Sequence, residues 1–252
     1  MKCGNTSELW NKHIHDRLEF LQFSREVVEG KVEPDDPGSN PLPPAAAAQS
    51  PRVFFNHTSY EFAPDDIKKG KCKIIITHRN PKSTYLSWFY MLRDGLKVFF
   101  TRDHPLTWED FSAAMLTGET KDMAGFNGTW FDFYKQWWEN RNASMFFLNY
   151  EAIIKDCKAV IKELAEFLGK DLNDEQLKNI EEHIKFDNLK KSPGFGQAFA
   201  RTKAIAYEDS PHMRKGKIED WKNVFTVTQS EQFDRLYLEK MKDTGFPEPI
   251  YE

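Results

Sequence analysis

The feature that most narrows the fold is the stretch from Lys73 to Lys82, where Ile74, Ile75 and Ile76 run through Thr77 into His78, Arg79, Asn80, Pro81 and Lys82. A continuous β-branched run reads as a strand buried on both faces, and a proline suits the first position of the helix that follows. The stretch is thus a strand, a turn and a helix, with Arg79 at the turn. Residues 52–56 and 145–149 read as two further strands. Helical periodicity covers residues 81–97, 107–117, 129–140, 156–168, 174–185 and 229–242, the last capped by Thr228 or Ser230. Strands alternating with helices predict an α/β fold in three layers, a parallel sheet with helices on both faces.

Toward the N-terminus, Leu9, Trp10, Ile14, Leu18, Leu21 and Phe23 recur at helical intervals and predict an amphipathic helix over residues 7–28. Residues 29–51, with six prolines and four consecutive alanines, read as a loop or partly disordered connection. Residues 192–217 also lack periodicity, and a loop of that length inside a compact domain is usually functional. With 252 residues, 40% of them hydrophobic, residues 1–252 suffice for one large domain.

Several classes are disfavoured. The net charge is −4, with 35 basic residues interspersed among 39 acidic ones, so no overall field favours nucleic acid or an anionic membrane. Cys3, Cys72 and Cys157 are odd in number and widely spaced, which fits neither a disulfide framework nor a zinc site. No apolar stretch approaches the roughly 20 residues that span a bilayer, and the N-terminus lacks a signal pattern. A cytoplasmic protein is expected, and the seven histidines show no metal-ligand spacing.

In open α/β folds, ligands bind at the carboxyl ends of strands, where helix N-termini receive anions. Arg79, followed by Ser87 eight residues later, is placed for an anion or for an ordinary surface ion pair. Met213-Arg214-Lys215-Gly216-Lys217 gathers cations around a glycine, which suits a phosphate or a solvated basic turn. His57 follows the run from Val53 to Asn56 and is either structural or a base at a strand end.

The continuation Asp220-Trp221-Lys222-Asn223, then Phe225-Thr226-Val227, together with Arg214-Lys215-Gly216, resembles the C-terminal signature of the cytosolic sulfotransferases. Arg79-Asn80-Pro81-Lys82 with Ser87 resembles that family's other element for the 3′-phosphate of its donor, 3′-phosphoadenosine 5′-phosphosulfate (PAPS). The resemblance runs from about Pro51 to Met241 and includes Trp137-Trp138-Glu139. It implies the P-loop-NTPase-like sulfotransferase fold and transfer of a sulfuryl group to a hydroxyl or amine of a small acceptor: a phenol, steroid, alcohol or amine. The desulfated nucleotide PAP would be the product, and no metal would be needed. Arg79, Ser87, Arg214, Lys215 and Gly216 would hold the 3′-phosphate, Tyr150 would lie near the nucleotide, and Phe186 would pack on adenine. Lys2, Cys3, Gly4, Asn5 and Thr6 resemble the end of the 5′-phosphosulfate loop, so the chain is expected to start inside that loop and to lack the fold's first strand. Its amides would cradle the phosphosulfate while Lys2 neutralises charge.

By the same resemblance His57 stands in the place of the catalytic base, a role worth about 10²- to 10⁴-fold in rate. Residues 222–231 resemble the segment through which relatives form homodimers. Phenylalanines 195 and 199 in the lid-like loop point to an apolar acceptor pocket. Three positions depart from the pattern: Ser7 replaces a tryptophan, Phe55 a lysine and Ile184 a threonine. Ser7, Phe55 and the missing strand favour a rival reading, a non-catalytic relative that binds nucleotide or partners, while His57 and the intact Arg214-Lys215-Gly216 oppose it. A nucleotide kinase is disfavoured, because the chain lacks a Walker lysine loop.

Overall fold

The computed structural model describes residues 19–20, 53–55, 57, 59–95, 106–118, 129–191 and 213–251. The expected loop at 29–51, most of the helix at 7–28 and most of the lid at 192–217 lie outside the described residues. The strands are β1 (Glu19–Phe20), β2 (Phe54–Phe55), β3 (Ile74–His78) and β4 (Met145–Asn149). The helices are α1 (Asp65–Lys68), α2 (Pro81–Tyr90), α3 (Trp108–Thr117), α4 (Trp130–Glu139), α5 (Tyr150–Lys155), α6 (Cys157–Leu168), α7 (Asp174–Ile184), α8 (Phe186–Lys191) and α9 (Val227–Met241). A π-helical turn, Met91–Gly95, extends α2, and 3-10 turns occur at Tyr60–Phe62 and Asp220–Asn223.

The pairs β1–β2 and β3–β4 are both parallel, as expected of an α/β chain. In the second pair Ile74 lies opposite Met145 and His78 opposite Asn149, so both strands end at one level. Helices cover the two faces of β4. On one side Ile76 and Met145 form a small core with Ala63 and with Trp137 of α4. On the other, Phe146 meets Phe167 of α6 with ring centroids 5.3 Å apart.

The larger core is aromatic. Tyr85, Leu86 and Phe89 of α2 pack with Phe111 and Met115 of α3, Phe131 of α4, and Phe233 and Tyr237 of α9. Phe111 and Phe233 are fully buried. Each such ring removes some 150–250 Å² from water, so the face of α2 that carries them holds three other helices in place.

Three expectations need correction. Ile75 is 41% exposed and Thr77 is exposed, so β3 is covered on one face only and its isoleucine run alternates. Three isoleucines in a row cannot by themselves tell a two-faced burial from a one-faced one. Glu19–Phe20 is a strand, not helix, because its backbone groups pair with Phe54–Phe55. Finally, α9 starts at Val227 instead of 229. Thr226 and Gln229 make a reciprocal capping box there, satisfying two free amides that Thr228 or Ser230 would leave unpaired.

Candidate functional site

The register of β3 and β4 builds the site. His78 ends one strand and Asn149 the other, so the residues that follow, Arg79 and Tyr150, emerge side by side at the carboxyl edge. The Arg79 guanidinium lies over the Tyr150 ring, 4.5 Å from its centroid. Its Nε sits 3.8 Å from a Glu151 carboxylate oxygen, and its Nη2 donates to the carbonyl of Lys217 at 3.3 Å. Glu151 is fully buried and also accepts the backbone N–H of Asn80 at 3.0 Å. Burial pushes the Glu151 carboxyl above its ordinary pKa, opposed by the Asn80 hydrogen bond and by the Arg79 charge.

Asn80 starts α2. Its side chain accepts the N–H of Ser83 and donates to the carbonyl of Ile250 at 3.0 Å, while Pro81 takes the first helical position. Ser83 Oγ then donates to the carbonyl of Ile218 at 2.8 Å, tying α2 to the basic loop. Next to it, Lys82 is 1% exposed. Its ammonium donates to Ser230 Oγ at 2.7 Å, pairs with Asp234 at 2.6 Å, and lies 4.4 and 4.9 Å from the Trp221 and Tyr251 ring centroids. A buried lysine is tolerated only with such company.

The basic loop follows the same logic. Gly216 has φ +64°, a left-handed conformation that glycine adopts without strain, and the Phe186 ring lies against its Cα. Arg214 and Lys215 both hydrogen-bond to the carboxylate of Asp220, Lys215 at 2.6 Å. The Arg214 guanidinium also rests on the Tyr90 ring, 4.2 Å from its centroid. Asp220 is 6% exposed. Burial raises its pKa, but the hydrogen bonds from Lys215 and Arg214 outweigh burial and hold it below the usual carboxylate value.

Arg79, Tyr150, Phe186, Arg214, Lys215 and Gly216 therefore belong to one connected cluster. Ser87 is exposed on α2, one turn before the Tyr90 that carries Arg214, so it flanks the cluster. His57 is half-buried, two residues beyond β2, and none of the contacts above reaches it. Lys2, Cys3, Gly4, Asn5 and Thr6 lie outside the described residues. Sequence reasoning missed Glu151 and Asp220 as the groups that hold the cations, and Lys82 as a buried cation. An acid five residues after Lys215 and another directly after Tyr150 were the available signals.

The cluster suits a phosphate. Arg79 Nε is buried without a hydrogen-bond acceptor, the Phe186 ring takes up the space a Cβ on Gly216 would fill and so lies close against the basic loop, and guanidinium and ammonium donors converge. Among the described residues no group of three or more His, Cys, Asp or Glu could hold a metal ion, and no helix is long and apolar enough to cross a membrane.

Known proteins share this framework. The chain is 36% identical to sulfotransferase 1B1 of Mus musculus over 77% of its own length and 62% of that protein's. It is 31% identical to the amine sulfotransferase of Oryctolagus cuniculus over 95% of its length and 72% of the relative's. Mouse sulfotransferase SULT7A1, solved with PAP, superposes at a TM-score of 0.62 with 30% identity, covering 76% of this chain and 66% of that one. Retinol dehydratase, solved with retinol and PAP, superposes at 0.77 over 96% of this chain and 75% of its own, at 21% identity, which speaks for the fold alone. This chain thus spans a little under two thirds of the length of sulfotransferase 1B1 and SULT7A1. The sulfotransferase domain model matches residues 3–245, nearly the whole sequence, and the chain belongs to the sulfotransferase family.

Proposed function

We propose that this protein transfers the sulfuryl group of PAPS to a hydroxyl or amine of a small acceptor, and that Arg79, Ser87, Arg214, Lys215 and Gly216 hold the donor's 3′-phosphate. The observation that carries the reading is the convergence of Arg79, Arg214 and Lys215 beside Gly216 and Phe186 at the carboxyl ends of β3 and β4. PAPS, when bound, supplies an activated sulfuryl group on a phosphate leaving group. Phe186 and Tyr150 border the nucleotide, and the donors of the basic loop orient it. His57 takes the acceptor's proton through a neutral imidazole. Lys2 neutralises charge at the leaving oxygen, and the amides of Gly4 to Thr6, with Cys3, line the phosphosulfate end. Positioning and fixed charge supply most of the rate in such a scheme.

The acceptor class follows the relatives, which include an amine sulfotransferase. A cytoplasmic setting agrees with free thiols at Cys72 and Cys157. A homodimer through residues 222–231 is supported by Val227, an apolar side chain 76% exposed at the start of α9.

Calorimetric titration with PAP tests the donor site without a choice of acceptor. Micromolar binding that Arg214→Ala abolishes is expected; wild-type protein that is folded and binds no PAP would refute it. Turnover in an acceptor screen, lost in His57→Ala with PAP affinity intact, tests the base, and normal turnover in that variant removes the assignment.

A further inference from the structure

Asp220 touches two of the cations assigned to the 3′-phosphate and is itself an anion, so it deserves a role in the same site. Its two oxygens divide the work: Oδ2 accepts from Arg214 Nη2, and Oδ1 accepts from Lys215 Nζ at 2.6 Å and from Asn223 Nδ2 at 3.4 Å. The carboxylate is nearly buried, whereas the Arg214 and Lys215 side chains are 29% and 48% exposed. The acid is therefore the buried member of the group, and the two cations reach solvent.

What fixes the acid lies behind it. Asp220 begins the 3-10 turn whose next residue, Trp221, is buried against the Lys82 ammonium. Lys82 in turn stands beside Ser83, which bonds to the Ile218 carbonyl two residues before the acid. The carboxylate is thus anchored to the first turn of α2, immediately after Arg79. The charge of Arg214 acts unfavourably on Arg79, and that of Asp220 favourably. Three cations facing one small volume repel one another, and without an anion among them Arg214 and Lys215 would swing toward solvent.

We propose that Asp220 is a positioning residue for the nucleotide's 3′-phosphate: it gathers Arg214 and Lys215 beside Arg79 before the nucleotide arrives and keeps them there when it binds. An arginine carries five N–H donors and a lysine three, so one bond from each to Asp220 leaves most of their donors for a phosphate. The carboxylate does not need to be displaced. Preorganised cations lose less side-chain freedom on binding, so the acid raises affinity although its charge is of the same sign as the phosphate's.

The proposal rests on the donor-site reading above, and its test separates the two. Wild type, Asp220→Asn and Asp220→Glu are titrated calorimetrically with PAP and with adenosine 5′-monophosphate, which lacks the 3′-phosphate, and their folding is followed by thermal unfolding. Wild type is expected to prefer PAP. In Asp220→Asn the PAP affinity should fall about tenfold, the scale of one charge-assisted hydrogen bond, while monophosphate affinity stays within about twofold. Asp220→Glu, with its charge kept but moved by one methylene, should fall between them. Equal losses for both nucleotides would reveal only structural damage and overturn the proposal, as would unchanged PAP affinity. If Asp220→Asn does not fold, the Glu variant decides alone: a selective loss for PAP supports the role, and wild-type values for both nucleotides remove it. A wild type that shows no preference for PAP defeats the donor-site reading, and the role of Asp220 with it.

Discussion

Replacing Gly216 by alanine should damage the basic loop for two separable reasons. At φ +64° an L-residue is strained by about 1–2 kcal/mol. The added methyl would also lie 2.3 Å from Phe186 Cδ2 and 2.6 Å from its Cγ, far inside contact distance. Moving a packed ring aside costs about 1–3 kcal/mol. The sum is about 3 kcal/mol, and for a domain of this size each kcal/mol shifts Tm by about 2–4 °C, so a fall of about 6–12 °C is expected. The clash can be removed while the strain is kept: in a Phe186→Ala background, Gly216→Ala should cost only about 1–2 kcal/mol. Urea unfolding of the four proteins measures both terms. Equal costs in the two backgrounds would show that Phe186 does not pack on this glycine, and no cost in wild type would show that the left-handed turn is absent.

Other outcomes can be checked with the same equipment. Lys82→Met should destabilise the fold by about 2–3 kcal/mol by removing the buried ammonium from Trp221, Tyr251 and Asp234, and Asp234→Asn, which leaves that ammonium without its carboxylate, should cost a similar amount; denaturant midpoints compare them. Burial lowers the pKa of His78 to about 4, so its neutral form is favoured in the fold. That stability is complete above the unfolded value near 6.5 and is lost as pH falls toward 4. Wild type should therefore lose about 2 kcal/mol more than His78→Gln between pH 7 and pH 5 in urea titrations. Thr226→Ala removes the capping box of α9 and should lower stability by about 1 kcal/mol, seen as a Tm loss of about 2–4 °C.

Periodicity was a sound guide wherever burial imposed it. The helices of residues 108–117, 130–139, 157–168 and 174–184 lie within two residues of the expected bounds, because each begins at a Thr, Asp or Asn cap and presents a regular apolar face. Strand β4 matches residue for residue. The one-sided burial of Ile75 was illegible, since a strand's sequence does not say how many helices the rest of the chain can spare for its second face. Arg79, Arg214, Lys215 and Gly216 could be singled out because cations beside glycine or at a strand end are chemically unusual. Their holders could not. Glu151 and Asp220 are ordinary acids among 39, and only the parallel register of β3 with β4 and the bond from Ser83 to Ile218 bring them to the cations.

The bond from Asn80 to the carbonyl of Ile250 joins residues 170 positions apart, and Tyr251 closes the box around Lys82. A polypeptide made from its N-terminus onward presents the turn that carries Arg79 long before it presents either of those partners. During synthesis the nascent cradle of cations is left with an unmet amide and an ammonium walled on too few sides. Contacts this distant in sequence close late, so the cradle should reach its final form only after residue 251 has left the ribosome. A release between residues 217 and 250 would yield a chain with every one of these cations in its sequence and without the two C-terminal contacts that frame them.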